Sequence, residues 1–270
     1  MHFLEIQGRR YVQFERLRHE GGLLHAFSTR PANLSPHPGP DAAGCAERRR
    51  MMAVDFSLDP SRLCYCQQVH EARIAVLDDA RMGGPLPSYD GVVTHLGGVP
   101  LMTFSADCPL VLAYDPVRPA LGLAHASWRC TLARLTGRLT ELMISRLGCR
   151  APDLLAGVGP GAGPCCYEVQ ADVYSAASAL ALDSPAGSQG LADRDRFFQR
   201  RGGRLYFDLW QANHAQLVEA GVRPENVEVA ELCTLCHNDV FYSHRREGDG
   251  CGHFGLLAAL APGLASRWAA

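Results

Sequence analysis

The chain has 270 residues, 47 % of them hydrophobic and 20 % charged, the composition of a globular protein able to bury a sizeable core. Its net charge of -2 gives no bias toward nucleic acid or an anionic membrane. All 26 basic residues other than histidine are arginine, which excludes a Schiff-base or P-loop lysine and leaves anion binding to Arg or backbone N–H groups.

Phe3–Ile6, Tyr11–Phe14 and Leu23–Phe27 read as strands, the last leading into Ser28-Thr29-Arg30. Pro31–Gly44, with four Pro and two Gly, is loop by composition. Ala46–Phe56 is expected to be a helix, followed by Leu63–His70, strand-like Arg73–Leu77 and a Gly/Pro-rich turn or lid at Gly83–Tyr89. Asp90-Gly91 opens a strand, Val92–His95. Met102–Trp128 then reads as three apolar strands broken at Asp115-Pro116 and Pro119-Ala120. Cys130–Leu147 carries Leu132, Leu135, Leu139, Leu142 and Met143 at helical spacing, with Gly148 as its stop. Leu154–Val158 is a strand running into Gly159–Pro164, and Cys165–Glu168 starts a helical Val169–Leu182. Asp183–Asp195 is a polar insertion. Asp208–Ala220 reads as a helix with Asp208 as N-cap and Gly221 past its end. Asn226–Leu232 and Phe241–Ser243 are expected to be strands, and Phe254–Leu260 a closing helix. With no repeat or linker, the alternation predicts one α/β domain with mixed sheets.

His70, Cys108 and His125 each end an apolar run, where strands deliver side chains to a site. Thiolate with imidazole suits zinc or copper, and three protein ligands leave a position open for water or substrate. Each alone is more often structural, since a cysteine among apolar residues is usually a small core hydrophobe. Arg30 is either a solvated surface arginine or an anion clamp. The glycines of Gly159–Pro164 mimic a dinucleotide fingerprint, but Pro160 and Pro164 and the missing acidic partner argue for a tight loop backing the site. Cys233-Thr234-Leu235-Cys236-His237 matches the haem-attachment spacing. A pair of core and loop thiols fits it better, and a four-cysteine zinc site with Cys64 and Cys66 is a minor option. Eleven cysteines behind a charged N-terminus, with no run of ~18 apolar residues, point to a cytoplasmic, reduced protein rather than a disulfide framework.

Several motifs together resemble a known family: His25–Arg30, Gln68-Val69-His70, Asp90-Gly91, Ser105–Cys108, Ala124-His125-Ala126 with Trp128-Arg129, Gly159-Pro160 through Cys165-Cys166-Tyr167-Glu168-Val169, and Ser243–Arg246. They are similar, in order and across nearly the whole chain, to the bacterial multicopper-polyphenol-oxidase-like (laccase-domain) family, which includes human FAMIN and the peptidoglycan-editing factor. The resemblance implies a single domain over residues 1–270 in an α/β/β/α arrangement, like the catalytic domain of the cytotoxic necrotizing factor toxin. It implies zinc, sometimes copper, on His70, Cys108 and His125, with Cys108 and Asp107 as catalytic residues and Arg30 and Gln68 toward phosphate or substrate. The implied reactions are phosphorolysis of adenosine, inosine, guanosine and methylthioadenosine, and deamination of adenosine, with no nucleic acid or membrane partner. Two departures stand out. Ser127-Trp128-Arg129-Cys130 replaces the family's Gly-Trp-Arg-Gly, and Gly250-Cys251-Gly252-His253 stands where a Thr-Gly-Arg-like turn is usual. The second removes an arginine and adds two potential ligands, Cys251 and His253. Three other readings compete: a Cys108–His125 amide hydrolase acting on peptidoglycan precursors, a copper-dependent polyphenol oxidase, and a metal-storing or partner-binding domain.

Overall fold

The computed structural model describes residues 1–37, 39–79, 83–182 and 194–262. Strands β1 (His2–Ile6), β2 (Arg9–Gln13) and β3 (Leu23–Ser28) precede helix α1 (Ala42–Asp55), and β4 (Cys64–Gln67), β5 (Ile74–Leu77), β6 (Gly84–Pro87) and β7 (Gly91–Thr94) follow it. The centre supplies β8 (Leu101–Ser105), β9 (Leu110–Asp115) and β10 (Ala120–His125), then α2 (Trp128–Leu132), α3 (Leu135–Leu147) and β11 (Leu155–Val158). Next come β12 (Glu168–Val169), α4 (Ala171–Leu182), β13 (Phe198–Arg201) and β14 (Arg204–Phe207). The last elements are α5 (Leu209–Glu219), β15 (Val227–Val229), α6 (His244–Glu247) and β16 (Phe254–Leu260).

Two large sheets stack face to face. One runs β1-β2-β3-β16-β8-β4-β6 and the other β15-β11-β9-β10-β7-β5, each mixing parallel and antiparallel pairs; β12-β14-β13 form a third, small sheet. The alternation of side chains across a strand places each face. Along β16, Leu256, Ala258 and Leu260 enter the core between the sheets with Phe14 and Phe27, while Leu257 and Ala259 pack on Met52 and Ala53 of α1. Along β9, Leu110, Leu112 and Tyr114 join the inter-sheet core, while Val111 and Ala113 meet Leu135, Leu139 and Met143 of α3. The layers are therefore helix, sheet, sheet, helix, a mixed α/β fold.

Several expectations need correction. Phe254–Leu260 is a strand, not a helix: every residue is buried and β16 is hydrogen-bonded to β3 and β8 on its two edges. A continuous apolar run covered on both faces carries no period to distinguish the two. Gly83–Tyr89 holds the edge strand β6, where Pro85 and Pro87 leave no interior ladder broken. The helix expected over Cys130–Leu147 is split at Arg134, whose φ of 58° is left-handed, and Gly148 closes α3 at φ 69°. The helix after Cys165–Glu168 starts later, because Glu168–Val169 pair with β14 as a strand. Phe241–Ser243 is a loop, with Phe241 N–H donating to His237 C=O at 2.9 Å. The β13–β14 hairpin, turned by Gly202 and Gly203 at φ 56° and 77°, was not anticipated. Most of the polar insertion, residues 183–193, lies outside the described residues.

Candidate functional site

The ends of β4, β8 and β10 open into one cavity of about 310 Å³, whose walls include His70, Cys108 and His125. His125 is the last residue of β10, Cys108 sits in the turn between β8 and β9, and His70 lies three residues past β4. The two imidazole rings stack with centroids 5.0 Å apart and planes 26° from parallel. All three residues expected to form the metal set thus line the same space.

The group that organises them is Asp90, fully buried immediately before β7. Its carboxylate accepts N–H bonds from Val69 (3.0 Å), His70 (2.8 Å) and Glu71 (2.8 Å). Three charge-assisted bonds hold His70 in a left-handed conformation, φ 61°, that a non-glycine residue rarely adopts. The Asp90 carbonyl accepts from His125 N–H at 2.7 Å, and its Oδ1 lies 4.0 Å from His125 Nδ1. One residue therefore tethers both histidines. Burial drives the His125 imidazole well below its ordinary pKa, with His70 and His253 adding to the effect, and lowers His70 as well. Both rings are neutral at pH 7 and can offer lone pairs. His125 Nδ1 is buried without a hydrogen-bond partner, which is the state of a donor atom awaiting a ligand. Burial raises the Cys108 thiol pKa, so without a cation it stays protonated and is a poor nucleophile. Donor chemistry, shared cavity and orphaned nitrogen fit a soft divalent ion. The fit is not tight: among the described residues, the one set of such donors whose atoms all lie within 4.8 Å of one another is Cys165, Cys166, Cys233 and Cys236.

That cluster corrects the four-cysteine grouping considered above. Cys64 and Cys66 belong to the inter-sheet core, and Cys233 and Cys236 instead meet the adjacent pair Cys165-Cys166.

The other expected site residues are placed differently. Asp107 lines the cavity but both its oxygens are engaged: Thr234 Oγ1 donates to Oδ1 and Arg245 N–H to Oδ2, each at 2.6 Å. Gln68 also lines the cavity, with its amide clamped to Phe104, accepting from the backbone N–H at 2.9 Å and donating to the C=O at 2.8 Å. Arg30 lines a separate pocket, ion-paired to Glu247 and 4.0 Å above the Tyr242 ring. Nearer the histidines, the cationic side chain on the cavity wall is Arg245, stacked 5.2 Å from Tyr167 and donating to Glu168 C=O at 2.9 Å.

Sequence reasoning missed the roles of Asp90, Tyr167 and Arg245, although all three fall within the motifs quoted. The glycine-rich loop is a close-approach device, not a dinucleotide site. A Cβ on Gly161 would lie 2.9 Å from Asp107 C=O, and one on Gly163 2.4 Å from the Trp210 ring. The departures have local uses. Ser127 caps α2 by accepting from Cys130 N–H at 3.2 Å, and Cys130 is buried behind the site. His253 does reach the cavity, its ring beside His37 and its pKa pushed down by burial to about 4. Cys251 instead points its thiol at Glu247.

The chain is similar to proteins of known name. It is 32 % identical over 223 residues to a purine nucleoside phosphorylase, YlmD, of Geobacillus stearothermophilus, covering 80 % of this chain and 78 % of that one. It is 28 % identical over 234 residues to the adenosine deaminase RL5 of an unknown prokaryotic organism, with 82 % and 83 % covered. The crystal structure of the hypothetical protein YfiH from Bacillus licheniformis superposes with a TM-score of 0.83 at 26 % identity, covering 93 % of this chain and 96 % of that one. Residues 14–261 match the family model described as multi-copper polyphenol oxidoreductase laccase, and the chain belongs to that laccase-like family.

Proposed function

We propose that the cavity between the ends of β4, β8 and β10 is the active site of a purine nucleoside phosphorylase that also deaminates adenosine. The observation that carries the proposal is the convergence of two stacked imidazoles and a thiol on one cavity that Arg245 and Tyr167 also line. Relatives named purine nucleoside phosphorylase and adenosine deaminase support it. The substrates proposed are adenosine, inosine, guanosine and methylthioadenosine, with phosphate as the second substrate.

His70, Cys108 and His125 would hold zinc, or copper, and the ion would supply Lewis-acid activation of water near neutral pH for attack at C6 of adenosine. Asp90 keeps both histidines in place, through the backbone of one and beside the ring of the other. The Tyr167 ring on the cavity wall offers an apolar surface for a purine. Arg245 supplies charge and paired N–H donors for phosphate beneath C1′ of the ribose. Arg30, in a separate pocket and already paired with Glu247, would act on phosphate by exchanging that partner. Asp107 acts as a positioning residue: its carboxylate fixes the backbone N–H of Arg245 and so the start of α6. Burial, which raises the Cys108 thiol pKa, weighs against the metal-free amide-hydrolase alternative, which needs a thiolate. A single set of two histidines and one cysteine offers fewer ligands than a multi-copper phenol oxidase requires.

The test is product analysis by mass spectrometry of adenosine incubated with zinc-loaded protein, with and without phosphate, beside Cys108→Ala. Adenine and ribose 1-phosphate formed only with phosphate, inosine formed in either case, and both lost in the variant, is the expected result. Unchanged adenosine with folded, metal-loaded protein would sink the proposal for this substrate.

A further inference from the structure

Two cysteine motifs that the nucleoside chemistry does not use come together beside the site. Cys165 and Cys166 lie just before β12, and Cys233 and Cys236 lie in the turn that follows β15. Their four Sγ atoms all lie within 4.8 Å of one another. Cys236 Sγ stands 3.8 Å from that of Cys165 and 3.5 Å from that of Cys166. Zinc–sulfur bonds of ~2.3 Å in a tetrahedron set the sulfurs ~3.8 Å apart, whereas a disulfide needs ~2.05 Å. We propose that Cys165, Cys166, Cys233 and Cys236 bind one structural zinc ion, separate from the His70, Cys108 and His125 set.

The surroundings of Cys233 point the same way. This sulfur is buried and accepts the Gly163 N–H at 3.4 Å. An amide N–H directed at a cysteine sulfur favours thiolate. A divalent cation held by four cysteine sulfurs keeps them as thiolates. Two guanidinium groups stand by to offset the charge of a tetrathiolate site. Arg246 Nη1 donates to Leu235 C=O at 2.8 Å, and Arg201 donates to Pro164 C=O.

The cross-link would sit on an existing seam. Gly161 N–H donates to Leu232 C=O at 3.2 Å and Thr234 N–H to Gly161 C=O at 3.1 Å, joining the same two turns. Tyr167 follows Cys166 onto the cavity wall, and Thr234 follows Cys233 to bond Asp107. A zinc ion here fastens the wall that carries Tyr167 and Asp107, whatever the substrate of the cavity proves to be.

The experiment counts zinc in the full-length chain expressed with zinc and kept reduced, by native mass spectrometry and elemental analysis. Wild type is compared with Cys108→Ala, Cys166→Ser and Cys236→Ser, and the cobalt-substituted proteins are read for thiolate-to-metal charge-transfer absorption. One zinc per chain retained in Cys108→Ala together with a strong thiolate-to-cobalt band, and one fewer than wild type in both serine variants with most of that absorption lost, is expected. Zinc content unchanged by both serine substitutions would overturn the assignment. So would a Cys166–Cys236 or Cys165–Cys236 disulfide in that reduced, zinc-supplied wild type. Should the serine variants not fold, Cys108→Ala with His70→Ala decides the matter: this chain must still carry one zinc, and finding none refutes the site.

Discussion

Replacing Asp90 by Asn is the sharpest probe of how the histidines are held. The substitution keeps the side chain's shape and one acceptor oxygen, which can still serve Val69 and His70. The second oxygen becomes an NH₂ group facing the Glu71 N–H, so a bond of 2.8 Å turns into two donors in opposition. A charge-assisted hydrogen bond contributes ~1.5–3 kcal/mol and a neutral one ~1 kcal/mol. Losing the Glu71 bond and weakening the two others therefore costs about 3–5 kcal/mol. At roughly 2–4 °C per kcal/mol for a chain of this size, the melting temperature should fall by about 10 °C. Without the carboxylate there is less to hold His70 at φ 61°, so the metal content of the His70, Cys108 and His125 set should fall together with nucleoside turnover. Circular-dichroism melting and metal analysis on the same preparations check both parts. A variant melting within about 1 °C of wild type, with metal retained, would refute the view that this carboxylate organises the site.

Three further outcomes follow from the geometry. Arg245→Gln leaves its backbone N–H on Asp107 but removes the guanidinium from the cavity; steady-state kinetics should show a phosphate KM raised roughly 10- to 100-fold, the equivalent of one charge-assisted contact of ~1.5–3 kcal/mol, with nucleoside KM little changed. Gly161→Ala sets a methyl group 2.8 Å from Pro109 and 2.9 Å from Asp107 C=O, so urea denaturation should register a loss of about 1–3 kcal/mol. His25 concerns pH: burial holds its pKa at about 3 against an ordinary 6.5, and its neutral Nε2 accepts the Phe14 N–H at 3.0 Å. The unfolded chain then binds the proton more readily, so this stability is present above pH ~6.5 and is lost as pH falls toward 3, by at most about 5 kcal/mol. His25→Gln, which keeps an acceptor for Phe14, should flatten the fall in urea-derived stability between those pH values.

The strands were legible where one face differs from the other or where breakers punctuate the run. β9 and β10 emerged from Met102–Trp128 because Asp115-Pro116 and Pro119-Ala120 interrupt an otherwise apolar stretch, whereas β8 parts from β9 at Ala106–Pro109. β16 was misread for the opposite reason. It lies in the middle of a sheet with apolar layers on both faces, and seven buried residues in a row show neither a period of two nor of 3.6. The split in the helix at Arg134 has no breaker residue to announce it, since arginine does not favour a positive φ and tertiary contacts impose the turn.

The same contrast runs through the site. His70, Cys108 and His125 could be picked out because metal donors at the ends of apolar runs are rare combinations of residue type and position. What holds them could not be, because the cradle around Asp90 is built from backbone N–H groups that every sequence possesses. The thiols show the limit of spacing most directly. On paper Cys64-x-Cys66 was the partner considered for Cys233 and Cys236, and the topology brings Cys165-Cys166 to them instead. Cys64 and Cys66 lie on β4 and are packed in the inter-sheet core. Cys165 and Cys166 sit on the loop that Gly161 and Gly163 allow to press against Asp107 and Trp210. The glycines set aside as a failed nucleotide fingerprint thus bring the vicinal cysteines to the C-x-x-C turn, and the wall of the cavity and the candidate zinc site are two consequences of one close approach.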